Sequence, residues 1–275
     1  MVITEKAAQL GRRHPLQRFA APSKGFSGAL HVAGLASFYS SFKFLHDNPN
    51  EFSSSYGWHL QFLTIIGIAI STVCFTFGLL ADITSSSTSP PASSASPPSA
   101  TFSSFCFAAK NYLSLIAAPI EIVISILYWG LRAIDTGLVV PPDMPLPPLG
   151  ADLCFHLVPA VVLTLDAILL SPPWPSSPVN PDAALWTLAT STGFVFAYWW
   201  WIEICFSHNG FYPYPIFGLL STAERVGLFT MSGVIMWVVG EVLRVVYAFV
   251  NGEELTVASE KRQTARQTGL EDKLE

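Results

Sequence analysis

Residues 58–81 read WHLQFLTIIGIAISTVCFTFGLLA. No Asp, Glu, Lys or Arg interrupts them, and a helix needs about 20 mostly apolar residues to cross a bilayer. The stretch therefore reads as a transmembrane helix, and the chain around it repeats the pattern. Residues 112–131, 153–170, 184–206 and 226–250 are also apolar, and 28–45 forms a weaker span containing His31, Lys43 and several serines. Of the 275 residues, 51% are hydrophobic and 12% are charged, about half the charged share of a soluble domain. A soluble chain of this size has too little interior to hide so much apolar surface. The expected fold class is all-α, a polytopic membrane bundle of about six transmembrane helices.

The expected organisation is a polar cytoplasmic tail (1–27), a transmembrane domain (28–250) and a charged cytoplasmic tail (251–275). Within the domain, residues 84–104 read TSSSTSPPASSASPPSATFSS, too poor in apolar groups to offset chain entropy, so a disordered loop is expected. Residues 141–149 (PPDMPLPPL) and 171–181 (SPPWPSSPVNP) are proline-rich connections that cannot continue a helix. The first apolar stretch begins too far into the chain for a cleavable signal and reads as a signal anchor.

An even number of spans puts both termini on one side. The amino-terminal tail holds Lys6, Arg12, Arg13, Arg18 and Lys24, and the carboxy-terminal part holds Arg244, Lys261, Arg262, Arg266 and Lys273. The loops opposite offer Lys43, Arg132 and Arg225, and Lys110 falls to an inner loop. The positive-inside bias then places both termini in the cytoplasm, in the endoplasmic reticulum or plasma membrane. None of Cys74, Cys106, Cys154 and Cys205 sits in a CxxC pair, so neither a disulfide frame nor a zinc site is expected. No metal or organic cofactor is implied. Lys and Arg form no stripe with aromatics, which excludes a nucleic-acid surface.

Ionisable groups at membrane depth point to function. Here they are His31, His59, Glu121, His156, Asp166, Glu203 and Glu241. His59 is expected to snorkel beside Trp58. Thr64 lies about two turns into the second span and His156 about one turn into the fourth. Both spans start on the outer side, so the two residues sit at similar depth, within about one turn. A hydroxyl becomes a useful nucleophile once a base removes its proton, and His is tuned for that near neutral pH. Asp152 precedes His156 by four residues, shares its helix face and could orient the ring as the third member of a triad does. A site at that depth suits a lipid ester. Threonine in a membrane helix also commonly bonds back to the i−4 carbonyl, and the acids could equally serve a proton or ion path. The residues alone leave enzyme, transporter and lipid-binding protein open.

YGWHLQFLT (Tyr56 to Thr64) resembles the Tyr-Gly-x-x-Trp/Arg-Lys-Phe-Leu-Thr motif of the androgen-induced protein family. DLCFHLVPAVVLTLD (Asp152 to Asp166) is similar to that family's Asn-His-x-x-His motif, with its acid ten residues after the last His. NGFYPYPIFGLL (Asn209 to Leu220) and VVGEVL (Val238 to Leu243) are similar to two further family stretches, and the resemblance covers roughly 55–250. It implies a multi-pass membrane hydrolase of fatty acid esters of hydroxy fatty acids, with Thr64 as nucleophile and His156 as catalytic His. The family's acid falls on Asp166, its first His on Leu153 and its Asn on Asp152. If that Asn orients the imidazole as a neutral partner, Asp152 would do so as a charge. An acyl tunnel lined by Phe196, Tyr198 and Trp199 is expected, with Tyr214 also at the substrate.

Overall fold

The computed structural model describes residues 19–85, 101–141, 144–172 and 182–251. The described residues form eight α-helices and three short 3-10 turns, without a strand: α1 (Phe26–Asp47), α2 (Leu63–Thr84), α3 (Phe102–Ile134), α4 (Leu149–His156), α5 (Val158–Leu169), α6 (Ala183–Asn209), α7 (Pro215–Leu219) and α8 (Thr222–Asn251). The arrangement is a polytopic helical membrane bundle. Four stretches are long and apolar enough to cross a membrane by length and composition: α2, α3, the joined α4–α5 stretch and α8. The expected first and fifth spans form α1 and α6, of 22 and 27 residues, and fall outside that set. His31 and Lys43 interrupt α1, while Glu203 and His208 interrupt α6. Most of both tails, residues 86–100 of the Ser/Pro tract and 173–181 lie outside the described residues.

Two boundaries differ from expectation. Helix α3 begins at Phe102, ten residues before the apolar window. Thr101 caps it by accepting from the Ser104 amide at 3.2 Å, while the Ser104 hydroxyl accepts from the Thr101 amide at 2.9 Å, a reciprocal capping box. Lys110 is thereby inside a helix, 0% exposed, and is not the loop cation that the charge count assumed. The span at 153–170 is broken. Helix α4 stops at His156, Leu157 leaves the helical region (φ −131, ψ −50), and α5 restarts at Val158 with Pro159 in its first turn. Proline cannot donate and disfavours helical backbone in the residue before it.

Phe38 of α1, Ile68 and Phe75 of α2, Ala117 of α3 and Leu163 of α5 form the main core. Val195, Tyr198 and Ile202 of α6 join Phe217 and Phe229 in a second core. The far end of α2 carries a buried ionic chain. His31 Nδ1 meets Asp82 at 2.6 Å and Nε2 meets Asp166 at 3.2 Å. Lys110 Nζ donates to both Asp166 oxygens, at 3.0 and 2.8 Å, and to Ser171 Oγ at 3.3 Å. A Cβ at position 78 would stand 2.5 Å from His31 Nε2, so Gly78 is what lets this ring lie against α2. Asp82 is about 27 Å along α2 from Thr64 by helical rise. At the Thr64 end, residues of the 48–51, 139–148 and 214 connections converge on one cavity.

Candidate active site

The YGWHLQFLT segment is a tight, clamped reversal. Gly57 and Trp58 both have positive φ, 85 and 49. Glycine takes the left-handed region freely. A bulky residue there is strained, and such strain persists only where the surroundings enforce it. The enforcement comes from α6. Asn209 Nδ2 donates to Tyr56 O at 3.0 Å and to Gln61 Oε1 at 3.1 Å, and its Oδ1 accepts from the Tyr56 amide at 2.9 Å. Tyr198 and Trp201 donate to the carbonyls of Gln61 and Leu60, each at 2.9 Å. The motif thus holds the loop that delivers Phe62 as the N-cap of α2. His59 does not snorkel: it is 2% exposed, with Nε2 3.1 Å from Ser53 Oγ.

Thr64 is the second residue of α2, in its first turn and not two turns in, because residues 58–61 form a separate 3-10 turn. That position decides the state of its hydroxyl. Thr72, Thr76, Thr84, Thr187, Thr190 and Thr230 all donate to their i−4 carbonyls. Thr64 makes no such bond; the carbonyl four residues back, Leu60 O, receives Trp201. Tyr214 lines both cavities beside Thr64, at a helix start where the Ile65 and Ile66 amides bond Phe62 O and those of Leu63 and Thr64 lack an intrahelical partner.

His156 ends α4. Its Nδ1 donates to Asp152 Oδ1 at 2.9 Å, the i, i+4 pairing that the spacing requires. The ring stacks flat on Tyr128, with centroids 3.4 Å apart and planes 6° apart. With Nδ1 as the donor, Nε2 carries the lone pair, and no hydrogen bond to it is found among the described residues. Asp152 is 1% exposed, and its other oxygen takes the Arg132 guanidinium. Arg132 also donates to the Tyr128 hydroxyl at 3.1 Å. The negative charge where the family has Asn is therefore matched by a cation in the same cluster. Sequence reasoning missed Tyr128 and Arg132, which belong to another helix and read as span and loop.

Thr64 and His156 line the same cavity of about 770 Å³, together with His59, Glu51 and the proline-rich 144–148 segment. A second, narrow cavity of about 100 Å³ runs on between α3, α6 and α8, with walls such as Ile124, Val195, Tyr198, Phe229 and Met236. Thr64, Tyr128, Val139 and Tyr214 line both. Thr64 therefore stands where a wide, partly polar chamber meets an apolar slot. Tyr198 and Tyr214 are on the slot. Phe196 and Trp199 are not: Phe196 is 49% exposed and Trp199 Nε1 donates to Glu203 at 3.2 Å, while Phe194 and Val195 take the lining positions. Asp166 belongs to the distant Lys110 and His31 chain, not to this site. Among the described residues no cluster could hold a metal ion.

The FAR-17a/AIG1-like protein family model matches residues 26–248. A UPF0641 membrane protein of Schizosaccharomyces pombe is 30% identical over 223 residues, covering 80% of this chain and 89% of that protein. No solved structure matches at a significant level. Matched across nearly all its helices, this chain belongs to the FAR-17a/AIG1-like family.

Proposed function

We propose that this membrane protein is a lipid ester hydrolase with Thr64 as nucleophile and His156 as base. Thr64 Oγ attacks the ester carbonyl carbon, and His156 Nε2 takes the hydroxyl proton and hands it to the departing alcohol oxygen. Water then attacks the acyl-threonine; His156 takes its proton and returns it to Thr64 Oγ as the fatty acid leaves. Asp152 fixes the Nδ1–H tautomer and offsets the imidazolium that forms. Tyr214 and the Leu63 and Thr64 amides of α2 are the donors for the developing oxyanion.

The observation that carries this reading is that one cavity holds a threonine hydroxyl free of the usual i−4 bond and an imidazole already oriented by a carboxylate. The junction of a wide chamber and an apolar slot suits an ester with a chain on each side. The family resemblance names fatty acid esters of hydroxy fatty acids as the class. With both termini cytoplasmic, as the Lys/Arg bias implies, the site opens on the exoplasmic or lumenal side. The rival transporter reading relies on Glu121, Asp166 and Glu241; Asp166 is paired with Lys110 and Glu241 with Arg244.

The direct test is a fluorophosphonate probe on purified protein, followed by peptide mapping. The adduct is expected on Thr64 and is expected to vanish in His156→Ala. An adduct on another hydroxyl, or undiminished labelling in that variant, ends the assignment. Arg132 supplies a second check. Arg132→Leu removes the countercharge of Asp152 and should lower kcat about 10–100-fold, within the range of a mispositioned base, with KM little changed. Arg132→Lys should restore part of it. A change confined to KM would place Arg132 in substrate binding instead.

A further inference from the structure

Behind the apolar slot, a third cavity of about 60 Å³ lies between α3, α5, α6 and α8 and shares no residue with the other two. Its walls include Asn111, Ala118, Ala167, Leu243 and Arg244. Asn111 is 2% exposed, and neither its Nδ2 nor its Oδ1 has a hydrogen-bond partner. A buried amide left unpaired costs about 1–3 kcal/mol, so the cavity favours a guest with both a donor and an acceptor.

Ser114 also lines the wall, and the remaining polar groups there carry bonds of their own. Ser171 accepts from Lys110 and donates to the Asp166 carbonyl. Tyr247 donates to the Ser171 carbonyl at 3.1 Å. Arg244 bonds the Ala183 carbonyl and Thr187 and is ion-paired with Glu241. The guanidinium charge is therefore already compensated, which leaves no uncompensated cation among the lining residues to receive an anion. A single water needs about 10–15 Å³ of such space. The cavity exceeds that several-fold, and beyond Asn111 and Ser114 its wall is largely apolar, with Leu115, Ala118, Pro119 and Leu243.

We propose that this cavity is a second lipid site, which takes the hydroxyl end of a neutral single-chain lipid, with Asn111 donating to and accepting from the hydroxyl and the apolar wall holding the first methylenes. The proposal does not depend on the ester-hydrolase reading. The test uses the full chain in nanodiscs and a long-chain alcohol bearing a diazirine and an alkyne. Crosslinks are expected on peptides containing residues 111–119 or 240–247. Unlabelled long-chain alcohol should compete; the fatty acid anion and phosphatidylcholine should not. Asn111→Leu should cut these crosslinks about tenfold while crosslinks around Thr64 persist. Ala167→Leu fills the same space from the opposite wall and should do likewise, which decides the matter if Asn111→Leu fails to fold. Equal competition by the anion overturns the neutral-head assignment. Crosslinks that survive both substitutions, or none at this site in the wild type, show a cavity filled by water alone and overturn the proposal.

Discussion

Thr64→Ala should reduce ester turnover to background, a loss of about 10⁴-fold or more, while thermal stability stays within about 2 °C of wild type. The two halves of this expectation come from one structural fact. In six of the ten α-helical threonines among the described residues the hydroxyl is tied to the preceding turn. At position 64 it begins the helix and has no such tie, so its removal disturbs little of the fold. A structural threonine gives the opposite profile, with activity falling only as far as stability does. Thr64→Ser keeps the oxygen and should retain measurable turnover. His156→Ala should match Thr64→Ala, and the double variant should be no worse than either, because a nucleophile and its base act as a unit. The assay is initial-rate hydrolysis of a long-chain ester in detergent micelles, alongside thermal unfolding. Full activity of Thr64→Ala in well-folded protein would end the nucleophile assignment. If Glu121→Gln or Glu241→Gln then abolished a transport signal, the chain would belong with proton-coupled carriers.

The helices were legible because lipid leaves their hydrophobic runs unbroken, and the candidate nucleophile and base were legible because each sits in a short motif. What could not be read was how those motifs are supported. Arg132 looked like a loop cation near the end of a span, yet it turns back to hold Asp152, a residue 20 positions away in the chain. Tyr128 lay unmarked inside the 112–131 span and instead forms the floor under the imidazole. The lining of the slot was misread at Phe196 and Trp199 because α6 carries aromatics on all sides. No apolar stripe marks its inner face, and only packing against α8 selects Val195 and Tyr198. The break at Leu157 had a visible cause in Pro159, but an apolar run masks such a break when hydropathy alone is read.

Lys110→Met should destabilise the bundle by about 3–5 kcal/mol, the usual penalty for stripping one partner from a buried ion pair. In a chain of this size that is a fall in Tm on the order of 10 °C. Lys110 and Asp166 are both 0% exposed, and His31 links Asp166 to Asp82. Removing the ammonium leaves two carboxylates sharing one imidazole in an interior without water. The pair draws α3 and α5 together, while His31 ties α1 to both α2 and α5, so the loss is felt across four helices. A local reporter is at hand: Cys74 is fully buried, and its thiol donates to the Lys110 carbonyl at 3.4 Å. Maleimide labelling of Cys74 should therefore begin at a lower temperature in the variant. Lys110→Met combined with Asp166→Leu removes both charges and should recover much of the loss, since an apolar pair often replaces a buried ion pair without penalty. If Lys110→Met unfolds within about 2 °C of wild type, the ionic chain is not what fastens this end of the bundle.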